Sequence, residues 1–195
     1  MPDIDKEKTC CFFGHRKIDE TAELKNNICG IIENLIVNEK VDTFLFGSKS
    51  QFDDLCHKIT TELKEKYPHI KRIYVRSAFQ HIPDWYEDSL LKYYEGTYFP
   101  EQIENSGKAS YVERNQEMIN KSDYCIVYYD EKYLPPRRKN SRKDLTDYQP
   151  KSGTAVAYDY AVKKRKERRR RKKKITNRRC SNLRVYTVRR RLLMC

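Results

Sequence analysis

The stretch VDTFLFGSKSQFDDLCHKITTELKEKYP, residues 41–68, joins an apolar run to a helical pattern through a turn of small residues. VDTFLF at 41–46 is almost continuously apolar and rich in β-formers, which suits a strand covered on both faces, as in a parallel sheet. From residue 50 the period changes. Phe52, Leu55, Ile59 and Leu63 recur at three- and four-residue spacing, giving one buried helical stripe over 50–66, and Pro68 follows as a stop. Strand, turn and helix make one βα unit.

The unit recurs along the chain. TCCFF (9–13), IKRIYV (70–75) and DYCIVYY (123–129) read as further covered strands. Leu24, Ile28, Ile31, Ile32, Leu35 and Ile36 form a stripe within 19–38, and shorter helical patterns occupy 84–94 and 110–121. Strand–helix alternation predicts right-handed βαβ crossovers and an α/β three-layer sandwich around a mostly parallel sheet. Two polar stretches break the rhythm, 95–108 and 130–149, and their length suits lids or binding loops.

Charge divides the chain. The net charge of +13 first suggests a nucleic-acid binder, but 17 of the 41 Lys and Arg lie from Lys163 onward, against the single acid Glu167. The remainder holds 24 basic and 27 acidic residues and is mildly acidic. The expected organisation is therefore one domain over 1–165 and a basic, low-complexity, poorly ordered tail over 166–195. The run KKRKERRRRKKK (163–174) repels itself, so a helix entering it should fray. Residues 175–195 carry enough apolar positions for one more strand. The seven cysteines make no disulfide framework, since the count is odd and most lie in apolar patterns. No C-x-x-C pair suggests zinc, and no metal or other cofactor is expected. The polar start has no leader character, and no apolar run reaches the roughly 18 residues of a membrane span. A reducing cytoplasm and no membrane partner are the expectation.

Open parallel sheets bind ligands beyond the carboxyl ends of their strands, near the point where strand order reverses. The residues that follow each strand are then the candidates. They are Gly14-His15-Arg16, then Gly47-Ser48-Lys49-Ser50 leading into a helix with Asp53, then Arg76-Ser77, then Asp130 and the long loop to Ser152-Gly153-Thr154. Small residues admit close backbone approach, helix starts at Ser50 and Thr154 offer free N–H groups to an anion, and Arg16 and Arg76 add charge suited to phosphate. Each piece has a plainer alternative. Gly14-His15-Arg16 also fits a tight turn with a solvated arginine, Gly47-Ser48 and Ser152 or Thr154 fit ordinary helix caps, and Asp53 fits a residue that only complements the helix dipole.

The motifs CCFFGHR, FLFGSKSQFDDLC, YVERNQEMINKSDYCIVYYD and KSGTAVAYDYA, in that order, resemble the SLOG superfamily of Rossmann-like domains over about residues 8–165. The similarity is greatest to the YpsA/YoqJ-type branch, with G-H-R after its first strand. The same superfamily holds the Lonely Guy phosphoribohydrolases and the DNA-processing protein DprA. Glu113-Arg114-Asn115 with Met118 and Ser122-Asp123 resembles the first half of the Lonely Guy signature. The second half departs from it: Pro150-Lys151-Ser152-Gly153-Thr154 lacks the glycine pair, and Ala157 stands where those enzymes place their catalytic Glu. Asp159 lies about 200° round a helix from Ala157 and is a poor substitute.

The resemblance implies a domain that binds a nucleotide or a nucleotide-derived molecule and acts as a sensor more than a catalyst. Gly14, Arg16, Gly47, Ser48, Gly153 and Thr154 would line the phosphate side with His15, Arg76 and Ser152, while Asp53 and Arg114 would orient or brace it. The enzymatic alternative is a nucleotide N-glycosidase using Arg114 with Asp53 or Asp130 as the carboxylate. A third alternative is a nucleic-acid-binding protein, which the acidic body and the lack of a binding motif rank last. Nucleic acid is expected only as a non-specific contact of the tail. Relatives commonly end with a short strand after this last helix, which KKKIT (172–176) resembles, and they commonly pair through helices, so a homodimer is expected by analogy alone.

Overall fold

The computed structural model describes residues 8–47, 49–104, 107–133, 152–174 and 184–188. The elements run β1 (Lys8–Gly14), α1 (Ala22–Val37), β2 (Val41–Phe46), α2 (Gln51–Lys66), β3 (Lys71–Val75), α3 (Asp84–Leu91), β4 (Gly96–Tyr98), α4 (Lys108–Lys121), β5 (Tyr124–Tyr128), α5 (Gly153–Lys174) and β6 (Arg184–Val188). The six strands are all parallel, in the order β4-β3-β2-β1-β5-β6. From β1 to β4 the sheet grows one way; β5 then returns to the other side of β1. Strand order reverses between β1 and β5.

Side-chain alternation explains why the strand runs are nearly all apolar. Phe12, Phe44, Phe46 and Ile126 face one side, with Ile28, Ile32, Leu35, Phe52, Leu55 and Ile59 of α1 and α2 packed over them. Cys11, Phe13, Leu45, Val75, Cys125 and Val127 face the other, under Met118 and Ile119 of α4 and Ala157 and Ala161 of α5. Both faces are core, each fully buried Phe or Ile contributing about 1.5–3 kcal/mol, so neither face can alternate with polar residues. The helix starts follow their caps: Thr21 Oγ1 accepts from the Leu24 amide at 3.1 Å, and Ser50 Oγ from the Asp53 amide at 3.2 Å.

Three elements differ from the sequence reading. The stretch 95–108 contains β4, a three-residue edge strand beside β3 that is too short to show a period. α5 continues through Lys174, since Lys and Arg are strong helix formers despite their repulsion. The sixth strand is Arg184–Val188, beyond KKKIT, hydrogen-bonded to β5 over its five residues. Cys10, Cys11, Cys29, Cys56 and Cys125 are free thiols, and burial pushes Cys10, Cys56 and Cys125 up in pKa, away from reactivity. Among the described residues no helix is long and apolar enough to cross a membrane.

Candidate functional site

The turn after β1 is tied to two helix starts. Gly14 carries no side chain because Phe52 of α2 fills the place: a Cβ there would lie 2.3 Å from Phe52 atoms. The Thr154 hydroxyl, in the first turn of α5, donates to the Gly14 carbonyl at 2.8 Å. The Gln51 amide, at the start of α2, donates to the Arg16 carbonyl at 3.1 Å. Ser152 caps α5, accepting from the Ala155 amide at 3.1 Å. Gly14-His15-Arg16 is therefore held between two positive helix ends, at the reversal of strand order.

His15 lies at the centre of this arrangement and is only 1% exposed. Its Nε2 accepts the Asp130 amide at 2.8 Å, and its ring stacks on Tyr133 with centroids 3.9 Å apart. An Nε2 that accepts has no proton, so the neutral ring carries its hydrogen on Nδ1. Among the described residues that buried Nδ1–H has no acceptor. Burial lowers the His15 pKa, opposed by the charge of Asp130. Arg16 is exposed, and a Cβ on Gly153 would meet open space.

The turn after β2 is packed as closely, beside the end of β3. Gly47 is held between the Val75 carbonyl, 2.7 Å from where its Cβ would be, and the Arg114 side chain at 3.1 Å. Arg114 is 3% exposed. Its Nη1 donates to the Gly47 carbonyl, Nε and Nη2 donate to Asn115 Oδ1 at 3.2 and 2.9 Å, and the guanidinium lies 5.6 Å from the centre of the Tyr111 ring. Burial lowers its pKa, and the nearby Asp53 charge opposes this. Asp53 is equally buried. Arg76 turns onto its own loop, its Nη1 donating to the Phe79 and Gln80 carbonyls at 3.2 and 3.3 Å. Phe79 is left-handed, with φ 62°, a conformation costing roughly 1–2 kcal/mol in a residue with a side chain.

The structure thus brings Gly14, His15, Arg16, Asp130, Ser152, Gly153 and Thr154 to the β1/β5 end, and Gly47, Asp53, Arg76 and Arg114 to the β2/β3 end. Ser48 lies outside the described residues. Several plainer alternatives hold locally: Ser50 and Ser152 are caps, Gly14 is needed for packing, and the hydroxyl of Thr154 serves β1. Sequence reasoning missed Tyr133 and Tyr111, whose only signal was their closeness in sequence to Asp130 and Arg114. Ala157, at the position of the enzymatic Glu, is 3% exposed and packed in the α4–α5 core. A cavity of about 520 Å³ lies at the opposite end, at the amino ends of β1 and β2, lined by Lys8, Lys40, Asp42 and His69 with apolar neighbours. It is remote from these groups. No cluster of metal-ligating side chains occurs among the described residues.

A doubly wound parallel sheet with helix starts converging where its order reverses is a Rossmann-like domain. The match to known families makes this narrower. A model of the YspA SLOG family (YpsA) matches residues 6–162, from the approach to β1 into α5, and the chain belongs to that family. No curated protein matches the chain.

Proposed function

We propose that the chain binds a nucleotide or nucleotide-derived molecule, with the phosphate at the β1/β5 end of the crevice. The observation that carries this reading is His15: a buried neutral imidazole with an unaccepted Nδ1–H, fixed between the starts of α2 and α5. A neutral donor and two helix dipoles suit an anion, exposed Arg16 adds a full charge, and the open space at Gly153 leaves room beside the α5 amides. Membership of the SLOG family supports a nucleotide-related ligand.

Binding has more support than hydrolysis. Cleavage of an N-glycosidic bond passes through an oxocarbenium-like state that a carboxylate must stabilise. Ala157 supplies none, and the donors of Arg114 are committed to Gly47 and Asn115. In this reading Arg114 and Asp53 brace the turn after β2. The basic run beyond Lys163 is a separate, salt-sensitive polyanion contact without sequence preference. The test is calorimetry with ribose 5-phosphate and nucleoside monophosphates, alongside mass spectrometry of small molecules retained by the purified protein. Arg16→Ala and Gly153→Leu should each abolish binding and leave the thermal transition in place. If both bind like the parent, the phosphate lies elsewhere.

A further inference from the structure

The tyrosines over β2 and β3 have no part in holding the phosphate. Tyr74 comes from β3, Tyr86 from α3 and Tyr111 from α4, yet Tyr86, Tyr111, Asp53 and Arg114 all lie within electrostatic reach of Tyr74. Among the described residues none of the three phenol hydroxyls has a hydrogen-bond partner. Arg114 lies over one face of the Tyr111 ring, and the residue is 47% exposed, so the opposite face is the one offered to a ligand. Phe79, on the loop that the Arg76 hydrogen bonds hold, is 76% exposed. Flat rings and free hydroxyls suit a planar group that carries polar edges.

We propose that this end of the crevice takes the nucleoside part of the ligand, an inference that rests on the phosphate reading above. The base stacks on the open face of Tyr111. The hydroxyls of Tyr74 and Tyr86 meet polar atoms of the ribose or the base edge. The ligand then lies across the ends of β1 and β2, its phosphate toward His15 and its base toward β3. Two inter-strand spacings of about 4.8 Å separate the two ends, a span that a phosphate–ribose–base chain bridges.

Trp85 is the only tryptophan in the chain. It is 71% exposed, and its ring centroid lies 5.7 Å from that of Tyr86, which makes its emission a probe beside Tyr86. Ribose 5-phosphate and the four monophosphates AMP, GMP, CMP and UMP are titrated by calorimetry and by Trp85 fluorescence. At least one monophosphate should bind about tenfold more tightly than ribose 5-phosphate, the increment expected of one stacked base, and it alone should change the emission. Tyr111→Ala should reduce that monophosphate to the affinity of ribose 5-phosphate and leave ribose 5-phosphate unchanged, while Tyr111→Phe keeps the stack and most of the affinity. Equal binding of ribose 5-phosphate and every monophosphate, unaltered by Tyr111→Ala, would overturn the nucleoside end and leave the phosphate end standing. Binding of none of the five probes to the parent would remove both, and would place the failure in the phosphate reading.

Discussion

Replacing Arg114 by Met separates a brace from a ligand contact. The guanidinium is 3% exposed and gives its Nη1 to the Gly47 carbonyl and two more donors to Asn115, with Asp53 as the nearby countercharge. Methionine keeps much of the volume and none of the donors. It leaves the Gly47 carbonyl without that donor and removes a positive charge that acts on Asp53. Leaving a buried acceptor without its donor costs about 1–3 kcal/mol, a sizeable part of the 5–15 kcal/mol that holds a typical domain together. In a chain of this length that is a fall of about 5 °C in melting temperature. Adding Asp53→Asn in a double-mutant cycle by urea denaturation measures how far the two charges couple across the turn. Ribose 5-phosphate should still bind to whatever fraction is folded. A variant within about 1 kcal/mol of the parent that has lost all phosphate binding would refute the brace, because Arg114 would then be spending its charge on the ligand.

Further outcomes follow from the same contacts. His15 and His57 are both held below their ordinary pKa chiefly by burial, so the unfolded chain takes up protons first as pH falls; stability should be complete above about pH 6.5 and decline below it. Urea denaturation at pH 7.5 and 5.5 should show the decline, with a shallower one in His15→Asn. Ala157→Glu forces a carboxylate among Met118, Ile119 and Phe13; it should cost at least about 3 kcal/mol and bring no release of base from nucleoside monophosphates, whereas a stable variant with hydrolysis would mean that this helix face opens onto the crevice. Truncation after Lys174 removes β6, with its ladder to β5 and the half-buried Val185 and Tyr186, and should cost about 2–4 kcal/mol in urea denaturation. Heparin retention should survive that cut and be lost on truncation after Lys164; a loss of stability under 1 kcal/mol on removing β6 would show the strand to be dispensable.

How much of this was legible depended on where each residue sits. The central strands announced themselves because both faces are buried, so TCCFF and VDTFLF needed no period to be recognised. β4 and β6 are edge strands, one with three residues and one flanked by arginines, and their pairing comes from a neighbour that no local pattern reveals. The candidate residues after the strands were readable because small residues and helix starts are local signals. Their duties were not. That Gly14 answers to Phe52, that Thr154 holds Gly14, and that Arg114 faces Gly47 are long-range facts of packing. Arg114 was singled out by resemblance, and its commitment to a carbonyl appears only when α4 lies against the end of β2.

The bond from Thr154 to Gly14 spans 140 residues and that from Asp130 to His15 spans 115. Translation makes β1 first, yet β1 ends at the middle of the sheet with its second neighbour still unsynthesised. As the chain leaves the ribosome, β1, β2 and β3 can assemble with α1 and α2, while the other edge of β1 stays open until β5 emerges. The turn after β1 therefore has no complete nascent form. His15 acquires its partner only once residue 130 is made, and the turn its second helix only once residue 154 follows.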